Sequence, residues 1–176
     1  KEPGKINFAS AGNGTTNHLS GELFKSMAKI DIVHVPYRGA GPAMNDLIGG
    51  HVQMFFDLMP VVLPQVTTGK VRALATAGAK RTSTLPNVPT VAEQGLPGFD
   101  ASSWYGLVAP AKTPEPVLAK LREEVAKALK SPDMVARIQE LGSEPGTAFG
   151  QQFGTLLAAE TRKWADVIRT SGAKAD

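Results

Sequence analysis

Short apolar strand-like runs alternate with amphipathic helix-like runs through the first part of the chain, and that alternation limits the fold more than any other feature. Lys5–Ser10 reads as a strand, and Thr15–Lys29 as a helix with Leu19, Leu23, Phe24 and Met27 on one face. Asp31–Pro36 predicts a second strand. Ala43–Ile48 predicts a short helix, with Pro42 at its first position and Gly49-Gly50 closing it. Residues 51–57 ("HVQMFFD") read as a buried third strand, 60–68 as a helix and 71–78 ("VRALATAG") as a fourth strand. Strands and helices joined by short connections form a parallel sheet with right-handed crossovers. The fold class is α/β.

The rhythm changes after residue 79. Segment 79–102 carries Pro86, Pro89 and Pro97 and allows only a short helix over Val91–Gln94. Connections of this length are functional or run between lobes. "WYGLVAP" (104–110) predicts one more strand. Helices follow over Pro114–Ser131, Pro132–Leu141 and about 149–170, the last burying Phe153, Leu156, Leu157, Trp164, Val167 and Ile168. Helices of this kind cover a sheet, and one strand is too little sheet for them. The pattern predicts a second lobe supplied only in part.

Bulk composition narrows the chemistry. At 176 residues the chain is one medium domain or two small lobes, and 42% hydrophobic with 20% charged residues describes a folded globular protein. A net charge of +3, without a run of like charges, gives little support to nucleic-acid binding. The lack of cysteine removes disulfides, thiol catalysis and thiolate metal sites. No apolar run approaches the roughly 18 residues of a membrane span. Lys1-Glu2-Pro3-Gly4 reads as a loop entered partway, with no signal peptide in view.

The richest candidate site is the turn Ser10-Ala11-Gly12-Asn13-Gly14-Thr15-Thr16, between the first strand and the first helix. Helix starts leave backbone N–H groups unpaired and carry partial positive charge, which suits an anion. Gly12 and Gly14 permit close approach, and the hydroxyls of Ser10, Thr15 and Thr16 add donors. Helix capping by Asn13 or Thr15 is the plainer reading. A dinucleotide fingerprint fails, because Asn17 stands at the third glycine position and Asp31 precedes the second strand instead of ending it. A phosphate-binding P-loop fails for want of Gly-Lys-Ser/Thr. A serine nucleophile elbow at Ser10 is weakened by Phe8 at its first glycine position. His18 could reach the turn, whereas His34 and His51 read as strand histidines. Asp57 and Tyr37 fall, with Ser10, at carboxyl ends of strands, where open α/β sheets gather ligands. Asp57 capping the following helix is the competing reading. Arg38 suits a carboxylate or plain surface; core packing is the default for Trp104, with cleft lining the sharper alternative. No metal site and no cofactor motif is expected.

Several segments together resemble one family. "INFASAGNGTTNHLSGELF", "VPYRGAGPAMNDLIGGHVQMFFD", "LPNVPTVAEQGLPGFD" and "WYGLVAPAKTP" are similar to the Bug/TctC periplasmic solute-binding proteins, receptors of tripartite tricarboxylate transporters. The resemblance implies a periplasmic-binding-protein-like (Venus flytrap) fold, with a small carboxylate clamped between two α/β lobes: a di- or tricarboxylate, an acidic amino acid or an aromatic acid. It implies one nearly complete lobe over 1–102, and the C-terminal helices of the other over 103–176. The Ser10–Thr16 loop and the helix carrying His18 would supply half of the clamp, with Tyr37 beside it and Asp57 facing the variable end of the ligand. The family's "P-x-x-P-G-G" loop does not occur here, so the chain corresponds to the C-terminal part of such a receptor. The implied partners are the carboxylate and membrane transporter subunits, the place is the periplasm, and exposed helix faces could drive self-association. The reading is a binding module and not an enzyme. The alternatives are the ligand-sensing domain of a regulator and a serine hydrolase using Ser10.

Overall fold

The computed structural model describes residues 3–174. Its sheet contains β1 (Asn7–Ser10), β2 (Val33–Pro36) and β3 (Met54–Phe55), all parallel, in the order β2-β1-β3. Phe8 lies opposite His34 and Met54, and Ser10 lies opposite Pro36. Side chains alternate faces along a strand, so β1 serves two layers. Ala9 turns toward α2 (Ala40–Ile48) and packs with Ala43 and Val52, joined by Val35, Leu47 and Phe55. Phe8, fully buried, turns toward α1 (Thr16–Ala28). The two elements approach so closely there that a Cβ on Gly21 would fall inside the Phe8 ring. Glycine at 21 is therefore a packing requirement of the first βα unit.

Most expected elements form, with shifted ends. α2 starts at Ala40, so Pro42 is its third residue and not its first. The first turn of a helix has no use for its N–H groups, which is why proline is tolerated there. The third strand shrinks to Met54–Phe55, and α3 occupies Met59–Thr67.

The strand expected over 71–78 does not form. This stretch makes a single bridge, Thr76 to Thr90, with Thr76 N–H donating to Pro89 O (2.8 Å) and Val91 N–H to Thr76 O (3.0 Å). A ladder needs a neighbour of matching length, and two-residue β3 offers none. The long connection is instead a structural wrap. Val91, Phe99 and Ala101 form a second core cluster against Leu23, Phe24 and Met27 of α1, with Phe56 and Trp164.

The strand expected over 104–110 does not form either. Among the described residues, 103–109 make no backbone hydrogen bond, and Tyr105 and Val108 are 85% and 84% exposed. α4 (Glu115–Ala128) and α5 (Pro132–Glu140) bury no residue, and α6 (Gln151–Ser171) buries Val167 alone. α6 reaches the rest of the fold through Trp164, which packs on the Val91, Phe99 and Ala101 cluster, and through Lys163, whose Nζ donates to Asp100 O (3.4 Å). Glu123 and Glu124 lie on the solvated face of α4, paired with Lys120 and Lys127. Among the described residues no helix is long and apolar enough to cross a membrane.

Candidate functional site: the glycine turn at the start of α1

β1 delivers Ser10 to the end of the sheet, and the chain turns there into α1. Gly12 (φ 141°) and Gly14 (φ 72°) adopt backbone angles that other residues rarely take, which makes the turn tight enough to lead straight into the helix. Thr15 is the N-cap: its Oγ1 accepts from His18 N–H (3.5 Å) and donates to Gly12 O (2.7 Å). The capping reading was thus correct for Thr15.

Ser10 is fully buried and its hydroxyl is engaged within the turn. Oγ donates to Gly12 O (3.0 Å), accepts from Gly12 N–H (3.2 Å) and lies 2.6 Å from His34 Nε2. His18, also buried, accepts at Nδ1 from Gly14 N–H (3.1 Å). The His18 and His34 rings stack with centroids 3.7 Å apart and 5° between planes. Burial, then the neighbouring His18, then Lys25 push the His34 pKa down from 6.5 to about 4. The N–H groups of Thr16 and Asn17 have no partner among the described residues, as befits a helix start, and neither does that of Ala11 where the turn leaves β1.

The other expected residues gather around this turn to different degrees. Tyr37 supports it through its backbone: its N–H donates to Ser10 O (3.0 Å), while Gly39 N–H donates to Ala11 O (3.0 Å). Its ring is committed elsewhere, with OH donating to Asp46 Oδ2 (2.7 Å), a bond that raises the Tyr37 pKa. Asp57 sits beside the start of α1. Its Oδ1 accepts from Asn17 Nδ2 (3.0 Å) and from Leu58 N–H (2.8 Å), one residue ahead of α3. Its Oδ2 is buried and has no partner among the described residues. Burial raises the carboxyl pKa against the opposing pull of those two donors. Arg38 is exposed, and Trp104 packs edge-on against Phe153 at 5.4 Å.

Two residues that organise this region escaped sequence reasoning. Asn17 entered only as a failed third glycine, yet its amide joins Phe56 O (2.6 Å) to Asp57, linking α1 to the end of β3. His34 read as a strand histidine. Its placement against Ser10 follows from the Phe8–His34 register, and no single segment reports a register.

A cavity of about 1930 Å³ opens beside the site, lined by Thr16, Asn17 and Asp57 at one side and by 101–109 and α4 at the other. Small-molecule pockets run to roughly 300–1,000 Å³. The space is wide and largely apolar, closer to room for secondary structure than to a ligand pocket.

Comparison with known proteins fits this geometry. Residues 1–173 match the model of the tripartite tricarboxylate transporter family receptor. A Pseudomonas sp. (strain P51) protein, described as the UPF0065 protein in the tcbD-tcbE intergenic region, is 39% identical over 96% of this chain and 50% of its own length. BugT of Bordetella pertussis is 38% identical over 98% of this chain and 53% of its own. The chain spans about half the length of these curated relatives. Among solved structures, R. palustris Rpa4515 with adipate superposes with a TM-score of 0.85 at 36% identity, covering 98% of this chain and 57% of that one. MatC (Rpa3494) from Rhodopseudomonas palustris with bound malate gives 0.76 at 36% identity, covering 94% and 57%. The periplasmic binding protein BugD gives 0.80 at 33% identity, covering 99% and 59%. The α/β fold is therefore that of periplasmic solute-binding proteins, and the chain belongs to the tripartite tricarboxylate transporter receptor family.

Proposed function

We propose that the Ser10–Thr16 turn and the start of α1 form one half of a carboxylate clamp in an extracytoplasmic solute receptor. The ligand is a small di- or tricarboxylate, an acidic amino acid or an aromatic acid, presented in the periplasm to the membrane subunits of a tripartite tricarboxylate-type transporter. The observation that carries this is the set of N–H groups without a partner among the described residues: Ala11 where the turn leaves β1, and Thr16 and Asn17 at the start of α1. Such groups attract an anion through hydrogen bonding and the helix dipole together. The family supports the same reading, as do relatives solved with adipate and malate.

Within this reading Ala11, Asn13 and Thr16 border the carboxylate, and Gly12 and Gly14 let it approach. Ser10, Thr15, His18 and the Tyr37 backbone hold the turn, and Asp57 meets the far end of the ligand. Residues 1–102 act as one lobe. Residues 103–176 belong to the other, whose sheet would fill the wide cavity. Closure of both lobes over ligand shifts the population toward a form that the transporter recognises.

Calorimetry with adipate and malate tests this, on the chain alone and on the chain joined with the complementary half of a relative such as BugT. Weak or absent binding alone, and restored affinity in the completed receptor, is the expected result. Micromolar binding by the isolated chain would overturn the half-clamp.

One contact favours a second reading. Ser10 Oγ and His34 Nε2 are within the reach of a nucleophile and its base. Against hydrolysis, Ser10 is sealed from solvent and its hydroxyl is held by Gly12. Ser10→Ala distinguishes the two: loss of ester turnover at unchanged ligand affinity would establish the hydrolase.

A further inference from the structure

The geometry assigns His34 a positioning role: through Ser10 and His18 it turns the Gly12 and Gly14 N–H groups inward, while those of Ala11, Thr16 and Asn17 have no partner among the described residues. This rests on the clamp reading only for its consequence, since the arrangement itself is a matter of hydrogen-bond counting.

A serine hydroxyl has one proton and here has two acceptors in reach, Gly12 O at 3.0 Å and His34 Nε2 at 2.6 Å. Both contacts hold together if His34 carries its proton on Nε2 and donates to Oγ while the hydroxyl donates to Gly12 O. The third contact, Gly12 N–H to Oγ, then fills the remaining lone pair. His18 obeys the same logic. Its Nδ1 accepts from Gly14 N–H, so its proton sits on Nε2, which points toward Glu22 at 3.8 Å. His18 is therefore the neutral Nε2–H tautomer, and His34 carries a proton on Nε2.

The stack disfavours charge on both rings at once, since two imidazolium rings 3.7 Å apart would repel. The charged groups facing the pair are Glu22 and Lys25 of α1, with Lys25 held by Asp31 at 3.9 Å, while β1 contributes the uncharged Phe8 ring at 5.0 Å. The depressed pKa of His34 agrees with a ring kept neutral. Neither residue needs to touch a ligand. His18 takes up the Gly14 N–H directly, and His34 orients the Ser10 hydroxyl that takes up the Gly12 N–H.

Nitrogen-15 NMR on the unmodified chain at neutral pH is the primary test. Both histidines are expected to show an unprotonated Nδ1 and a protonated Nε2. A His34 proton on Nδ1 would overturn the assignment. Two variants separate the contacts. His34→Phe keeps a ring against His18 and loses the donor to Ser10, so the Gly12 amide signal should shift while that of Gly14 stays. His34→Gln keeps a donor and loses the stack, so Gly14 should shift and Gly12 stay. Unmoved signals at both glycines in both variants would also overturn the proposal. These readouts need no ligand. Adding adipate as a probe isolates the other reading: glycine shifts as expected with no adipate response would leave the positioning role intact and count against the clamp.

Discussion

The two halves of this chain contain similar amounts of apolar sequence and use it in opposite ways. Around β1, the side chains of Phe8, Ala9 and Ser10 are fully enclosed, and α1 approaches until only glycine fits at position 21. Beyond Ala101, Tyr105, Leu107 and Val108 stand in solvent, and α4 and α5 bury nothing. Hydrophobic burial is worth roughly 25 cal/mol per Å², and the second region gains little of it. Apolar pattern alone does not make a core; the partner surface must exist.

The largest test of this contrast is amide hydrogen exchange. Amides of β1 and the middle of α1 should be protected strongly, while 103–109, without backbone partners, should exchange at nearly unfolded rates. Supplying the complementary half of a relative should bring protection to 103–109. If that stretch is already protected in the isolated chain, the contrast is wrong.

Core substitutions sharpen it next. Phe8→Ala should cost about 3–5 kcal/mol by denaturant unfolding, from the cavity left between β1 and α1. Leu121→Ala on half-exposed α4 should cost well under about 1 kcal/mol in the isolated chain.

Titration gives smaller effects, opposite in sign for two groups of the first region. His34 has a folded pKa pushed below its usual 6.5 to about 4. The unfolded chain therefore binds the extra proton in that window, and the stability due to His34 is full above pH 6.5 and is lost as pH falls toward 4. His34→Phe should flatten this slope in denaturant midpoints measured against pH. Asp57 has a raised pKa, so stability declines as pH rises from 3.8 through its folded value. Asp57→Asn should remove that decline and leave the protein no less stable at pH 7. Smallest of all, Glu124→Ala on the exposed face of α4 should leave the unfolding midpoint unmoved.

The same contrast explains what the sequence revealed. β1, α1 and their turn were legible because each is a local matter: period, glycine placement, a capping threonine. The segments "VRALATAG" and "WYGLVAP" carry equally good strand patterns, yet a strand is a relation between two segments. Among the described residues Thr76 bridges only to Thr90, and 103–109 make no backbone hydrogen bond. The site divides in the same way. Ser10, Gly12, Gly14 and Thr15 were readable from local chemistry, whereas His34 and Asn17 depend on register and on the return of β3 beside α1. Tyr37 meets the turn through its N–H on Ser10 O, a contact set by the end of β2, while its hydroxyl serves Asp46.

The most direct test of the half-clamp is an amide NMR titration of this chain with adipate, carried to millimolar concentration. The account predicts progressive, unsaturated shifts centred on Ala11, Thr16 and Asn17. Saturation at micromolar adipate, or shifts centred away from the start of α1, would contradict it.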